Sequence, residues 1–550
     1  MHPELTRLFE PIANRFEAQA RTMVSLLEET HFLRERLEAL APPPPQSAGW
    51  THIPPPPPDA RVVHVSSSAG DDASDGLSPA APLRSIARAI PLLRDGAGDR
   101  LLLRRGDVFR GPFGNWTLSG KSPELPLILG AYGEGPRPVV LSSGSAFSVV
   151  GPTASGEPLH DVWLIGLHLR AAGRDPRPND YDDAFDPSAP AGNGVRLIRP
   201  ATNLLIEDCR VELFANNLTL TASGSDEVAA GARLHNVRVR RCQVLDAWSN
   251  SAFNSGQGFY AYGCDGLLIE QCVFDHNGWN EKVPGADATI YRHNCYLGAP
   301  NYNVTVRGNV IANASSHGLQ LRCGGAVEDN LFLHNAIHCF LAGHEGIFRR
   351  NAILGGRDIS PKLPRGYGLT LSCTEGRAER NVVAHKGAMT GSAITVERGE
   401  WTPPGPRRIT LVGNAVYAWG GNALEVPHDC DTLEFAGNDL QCCDPSRKVI
   451  NVKAKIAEPR FAANRYHSLG DDPARWFFFD GRFMPFDEWR SLTGDSSRCE
   501  RVDFHPDAVA LPDLLPDNLL RTVREQSRTT WDDRLTARQV VRRILECFGK

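Results

Sequence analysis

Between residues 200 and 440 the chain repeats one short pattern: alternating apolar positions, a polar pair, a Cys or Asn, and two further apolar residues. Ile206-Glu207-Asp208-Cys209-Arg210-Val211, Glu270-Gln271-Cys272-Val273-Phe274, Glu328-Asp329-Asn330-Leu331-Phe332 and Glu379-Arg380-Asn381-Val382-Val383 are four of its copies. Aligned on Cys209, Cys242, Cys272, Asn309, Asn330, Asn351, Asn381, Asn414 and Asn438, the steps are 33, 30, 37, 21, 21, 30, 33 and 24 residues. A unit this short cannot bury its own apolar face, so successive units must stack. The shortest step, 21, is the bare coil: three short strands, each pairing with its counterparts in the coils above and below at a spacing of about 4.8 Å. Six consecutive asparagines from Asn309 onward then form an internal ladder whose amides bond to one another and to the backbone of a tight turn. The three earlier cysteines fill the same column as compact apolar substitutes. Longer steps carry loops, and loops on a rigid scaffold are where function usually sits.

Ahead of the repeats the period changes. Apolar residues fall at gaps of 4 and 3 through Ile12, Phe16, Gln19, Met23, Leu26, Thr30, Leu33, Leu37 and Leu40, seven of these nine seam positions being apolar. That period predicts a parallel coiled coil, with Gln19 and Thr30 setting register, and hence a homo-oligomer, plausibly a trimer, through residues 12–40. The alternative is an amphipathic helix folded onto its own domain. Pro42–Pro45 and Pro54–Pro58 predict a stiff spacer. The expected organisation is helix 1–41, linker 42–61, repeat body 62–465 and a C-terminal capping segment with helices, 466–550.

Composition narrows the partners. With 41% apolar and 22% charged residues, 51 Gly and 41 Pro, the chain reads as folded and turn-rich, and a formal charge of −5 gives no cationic field for nucleic acid. No apolar stretch approaches the roughly 18 residues that span a bilayer. The start, Met1-His2-Pro3-Glu4, lacks a basic segment followed by an apolar run, so no classical export signal is expected. The expectation is a protein that is cytoplasmic by default, or else particle-borne or exported by another route. Thirteen scattered cysteines read as reduced core residues.

The opening His64-Val65-Ser66 through Asp75-Gly76-Leu77-Ser78-Pro79 and Pro82-Leu83-Arg84-Ser85-Ile86, the Asn/Cys ladder, and the closing Trp476-Phe477-Phe478-Phe479-Asp480-Gly481 together resemble bacterial proteins of the pectate-lyase-like superfamily. The resemblance implies an all-β fold: a single-stranded, right-handed parallel β-helix of about ten coils, with the N-terminal coiled-coil helix and a helical C-terminal cap. It also places the ladder turn between the second and third strands of each coil. The first sheet then comprises segments such as Gly258-Phe259-Tyr260-Ala261, Asn294-Cys295-Tyr296-Leu297, Gly318-Leu319-Gln320-Leu321 and His338-Cys339-Phe340-Leu341.

Alternation sends Phe259, Cys295, Leu319 and Cys339 inward. Outward on that register come Tyr260, Tyr262, Asn294, Tyr296, Gln320, Arg322, His338 and Phe340, aromatic faces mixed with amide and guanidinium donors as a sugar chain requires. The alternative is that exposed strands favour such residues anyway. The central insertion from Asp275 and His276 through Lys282 to His293 is expected to overhang this strip, and His293 and His317 occupy equivalent places on adjacent coils. Uronate lyases of the superfamily remove the proton α to the sugar carboxylate while cations neutralise that carboxylate. By that resemblance Lys282, His293 or His317 is the expected base and Arg322 the neutraliser, with Tyr260, Tyr262, Asp275, His276, Asn294, Tyr296, Gln320, His338 and Phe340 binding substrate. Asp180, Asp182, Asp183 and Asp186, in a second insertion, are candidate Ca²⁺ ligands, a solvated acidic loop being the alternative. The expected function is β-elimination on an acidic polysaccharide; the alternatives are a tailspike-like glycan-binding adhesin and a β-helix glycoside hydrolase.

Overall fold

Each coil turns on one residue held in the left-handed region immediately before its ladder position. Asp208 (φ 58°), Arg241 (50°), Gln271 (53°), Gly308 (63°), Asp329 (55°), Arg350 (50°), Arg380 (51°), Gly413 (67°) and Gly437 (63°) all occupy it. Most of these are not glycine, and each such residue costs on the order of 1 kcal/mol. The ladder offsets that cost. Asn330 Oδ1 accepts from the backbone N–H of Asn309 at 2.9 Å and from its Nδ2 at 2.9 Å, and Asn330 Nδ2 donates to the Val306 carbonyl at 2.9 Å. Asn351, Asn381, Asn414 and Asn438 repeat the arrangement, and Asn464 extends it by one further coil. Cys209, Cys242 and Cys272 fill the column below, all buried. The cysteines among the described residues are free thiols.

The computed structural model describes residues 49–550 except 182, 223–231, 252–255, 358–364, 386–390, 400–404, 443, 471, 511–514 and 516–517. The expected coiled coil over 12–40 lies outside the described residues. So does the first part of the proline spacer. The body, Pro54–Lys550, is a right-handed parallel β-helix. A central coil reads Cys295–Leu297, Tyr302–Arg307 and Val310–Ala312, each pairing in parallel with its counterparts in the next coil, His317–Leu321, Gly325–Glu328 and Leu331–Leu333. First and second strands share one continuous sheet, since segments such as Ile337–Arg349 run through the bend between them. The third strands form a separate 14-stranded sheet.

The expected inward residues Val195, Phe259, Cys295, Leu319, Cys339 and Leu369 are all buried, in one apolar core running along the axis. At the start, Asp72 Oδ1 accepts from the backbone N–H groups of Arg84 and Ser85, so the opening aspartate builds the turn before the short helix Ile86–Ala89. The end of the spacer docks on this first coil, where Arg61 N–H donates to Asp99 Oδ1 at 2.7 Å.

The C-terminal segment divides. Helix Phe486–Thr493 closes the last coil by setting Trp489 against Phe461 and Phe477, at ring separations of 4.8 and 5.3 Å. The tail expected to cap the open end instead runs back along the outer face of the third sheet. There Leu519, Val523, Val540, Val541 and Ile544 bury against Leu245, Val310, Leu331 and Ala352. The reason is sequence-local: the outward positions of the third strands are apolar, unlike those of a solvated sheet, and need a cover. Ion pairs fix its far end. Arg524 bridges Asp246 (2.5 Å) and Asp275, and Arg210 pairs with Glu525 (2.8 Å). No helix of the described residues is long and apolar enough to cross a membrane.

Candidate functional site

Strand pairing turns the outward residues of the first sheet into rows. One row runs Tyr260, Tyr296, Gln320, Phe340, Thr370, Thr395, Glu425, Asn451 and Phe478, each aligned with the next by parallel register. The Tyr260 and Tyr296 rings lie 5.3 Å apart, and the Arg322 guanidinium sits 5.0 Å over the Tyr296 ring. Tyr262 folds over Gly298, where a Cβ would meet its ring at 2.8 Å, so the glycine makes room for the aromatic. Burial pushes the Tyr260 hydroxyl up to about 12, helped by the neighbouring tyrosines, so it is a phenol rather than a phenolate at neutral pH.

At the edge of this strip His293 and His317 stack with centroids 5.0 Å apart and planes at 28°. Gln257, one coil earlier, locks the first ring. Its Oε1 accepts from the His293 backbone N–H at 2.8 Å and from Nδ1 at 3.1 Å, while its Nε2 donates to the Tyr291 carbonyl at 2.8 Å. The amide is thereby oriented, Nδ1 carries the proton, and His293 Nε2 is the acceptor. His317 Nδ1 lies 3.0 Å from Ser316 Oγ, which accepts from Arg365 Nη1 at 2.8 Å. Burial first, then the Arg322 and Arg365 charges, lower the His293 pKa to about 3. His317 is held well below its ordinary value by burial, by His293 and by the same two arginines. Both rings are neutral at physiological pH, and His317 is the more exposed.

Several expected site residues lie elsewhere. Asn294 is buried in a second asparagine ladder, where its Oδ1 accepts from Asn277 Nδ2 at 2.8 Å and its Nδ2 donates to the Ala312 carbonyl at 2.7 Å; it does not face a ligand. His338 is likewise fully buried, beside Asn335 and 6.2 Å from the Trp419 ring. Asn294 stands just before its strand and His338 is the second residue of Ile337–Arg349; each immediately precedes an inward cysteine, Cys295 or Cys339, and is buried as well, so simple alternation fails there. Asp275 ends a third-sheet strand, accepts from Asn313 Nδ2 at 2.8 Å and pairs with Arg524 under the tail. His276 follows in the next left-handed corner (φ 57°), bonded to Asp246 at 2.8 Å and Glu281 at 3.0 Å. The central insertion thus begins on the third-sheet side, and only its end, at His293, reaches the groove. Lys282 is exposed on that insertion, its backbone N–H donating to Asn280.

The acidic loop is committed to its own turns. Asp183 Oδ1 accepts from Gly173 N–H at 2.6 Å, Asp186 Oδ1 from Ser188 N–H and Oγ at 2.8 and 2.6 Å, and Asp180 is exposed; Asp182 lies outside the described residues. Among the described residues the potential ligands that converge are His505, Asp507 and Cys547 on the tail, not these aspartates.

Gln257 and Arg365 were not legible as site residues, because only register brings them to the histidines or to Ser316 from up to 49 residues away, and Ser316, although next to His317 in the chain, is marked only by its bond from Arg365. Nor were Glu397 and Glu425, which share the groove on adjacent coils, Thr395 pairing with Glu425. Burial raises the Glu397 pKa, with Glu425 adding to the rise. Glu425 is half-buried, which works to raise it, but hydrogen bonds and charge hold it below its ordinary value, chiefly through Lys453 Nζ at 2.6 Å.

A family described as "Right handed beta helix region" matches residues 190–440. Among curated proteins, a lacto-N-biosidase of Bifidobacterium longum subsp. longum is 33% identical over 84 residues, which span 15% of this chain and only 5% of that protein. Among solved structures, a GH136 lacto-N-biosidase from Eubacterium ramulus is 13% identical, with 80% of this chain and 68% of that one covered and a TM-score of 0.38. XylC in complex with xylose is 11% identical (75% and 86% covered, TM-score 0.46), and the tailspike protein of E. coli bacteriophage HK620 is 13% identical (76% and 76%, TM-score 0.42).

Proposed function

We propose that this chain, a right-handed parallel β-helix, binds an acidic polysaccharide along its first sheet and cleaves it by β-elimination. The observation that carries the reading is the His293–His317 pair: two imidazoles kept neutral by burial and by Arg322 and Arg365, beside a platform of Tyr260 and Tyr296. A uronate carboxylate seated between the two arginines is neutralised, which acidifies the adjacent carbon. The same carboxylate cancels the arginine field at His317 and so raises its basicity towards the working pH.

His317 Nε2 takes the proton α to the carboxylate, in the tautomer whose Nδ1–H donates to Ser316 Oγ. The electron pair forms the ring double bond as the bond to the glycosidic oxygen breaks. Tyr296, one coil away, protonates the departing oxygen, leaving one unsaturated and one ordinary chain end. The test is ultraviolet absorbance of the conjugated product on alginate, pectate and glycosaminoglycans. Activity that is lost in His317→Ala and retained in Lys282→Ala supports the reading, whereas retention in both refutes the base.

The Glu397–Glu425 pair favours hydrolysis as a second reading, since a carboxyl group held above its ordinary pKa beside one held below it is the asymmetry glycosidic hydrolysis uses. New reducing ends without ultraviolet absorbance, lost in Glu397→Gln, would select it.

A further inference from the structure

The outward row of the first sheet does not end at the histidines, although its middle members Thr370, Thr395 and Asn451 are themselves buried. Six register steps beyond Gln320, along the row through Phe340, Thr370, Thr395, Glu425 and Asn451, it reaches Phe478 on the last coil. The strand Phe477–Phe479 then folds back in an antiparallel hairpin that sets Phe483 opposite Phe478, with the rings 5.3 Å apart. Phe483 is 39% exposed, so this second ring is presented to solvent rather than spent on closing the core. Lys448 Nζ lies 4.9 Å over Phe478 and 5.4 Å over Phe483, and the Arg475 guanidinium lies 4.9 Å over Phe483 from the other coil. Lys448 precedes its strand by the two residues that separate His317 from Leu319, so it continues the edge row in which the histidines stand. Glu425, the carboxylate on the path, already holds Lys453 at 2.6 Å and Asn451 Nδ2 at 3.2 Å.

We propose that Lys448, Arg475, Phe478 and Phe483 form a distal subsite for an anionic sugar residue, at the far end of the groove from the reaction centre. The aromatic pair offers an apolar face for the ring C–H groups and the two cations a seat for a carboxylate or sulfate. This rests on the reading of the first sheet as a glycan groove, but not on the elimination chemistry. At about 4.8 Å per coil the six steps span about 29 Å. An extended sugar chain advances by close to one residue per coil, so a chain covering both sites has about seven residues.

The experiment is calorimetric titration of oligouronates of about three and about eight residues into His317→Ala protein, which removes turnover from the measurement. The long oligomer is expected to bind tighter than the short one. Lys448→Ala and Phe483→Ala are each expected to weaken the long oligomer about three- to tenfold and leave the short one unchanged. A neutral oligomer of the same length should gain nothing from Lys448. Equal affinity for long and short chains overturns the subsite, as does a long-chain affinity indifferent to both substitutions. Arg475→Ala, at an exposed position, repeats the test where either variant melts early. Length-dependent binding without any unsaturated product from wild type retires the elimination reading and leaves the subsite standing.

Discussion

Neutral His293 couples the stability of the β-helix to pH. The ring is 4% exposed, and its pKa falls from 6.5 to about 3, with burial the first cause and the arginine charges the second. In the unfolded chain the ring titrates near 6.5, so between there and about pH 3 the unfolded state binds a proton that the folded state refuses. Stability is therefore full above pH 6.5 and falls as pH drops through that window, by about 1.4 kcal/mol per unit once the unfolded ring is charged. From pH 7 to pH 5 the loss is about 2 kcal/mol. His293→Gln removes the titration and retains an amide N–H for Gln257 Oε1. Equilibrium urea unfolding of both proteins at pH 7 and pH 5 gives four free energies whose double difference reports the ring together with its stacked neighbour His317, since titrating groups away from the pair cancel. The variant's disadvantage should shrink by about 2 kcal/mol between the two pH values. A double difference near zero would mean that the ring is hydrated or already charged, and the neutral pair would be lost with it.

Three further outcomes follow from the same geometry. Asn351→Ala strips the acceptor from Asn330 N–H and Nδ2 and the donor to the Val327 carbonyl, so it should cost about 2–4 kcal/mol by thermal or urea unfolding. Arg524→Met takes the cation from Asp275 and one of three partners from Asp246, which keeps Arg177 at 3.2 Å and His276 at 2.8 Å, so it should loosen the tail by about 1–3 kcal/mol and appear as faster hydrogen exchange in helix Ala537–Cys547, with the groove unaffected. Trp489→Ala empties the last coil's closure, so limited proteolysis should begin from that end while the Asn309–Asn381 coils stay protected.

The sequence by itself determined the coil. A Cys or Asn at each turn, two apolar residues after it and a 21-residue minimum step admit one stacking, and Asn330 on Asn351 at 3.0 Å is its direct expression. It also determined which strand residues face inward, because the period of two is a property of the extended backbone. Alternation failed at Asn294 and His338, at the entry to their strands, where the side chain is buried although its neighbour Cys295 or Cys339 already points inward. It failed again for the central insertion, whose first half belongs to a different sheet from its last residue.

Only the tertiary structure decided which charges share a space. Arg365 and Gln257 meet the histidines, Glu397 meets Glu425, and Arg524 reaches Asp246 across 278 residues. A local pattern fixes backbone direction because sterics act between neighbours in the chain. Burial and Coulomb terms act between neighbours in space, and the number of residues in each inserted loop, which no periodicity constrains, sets who those neighbours are.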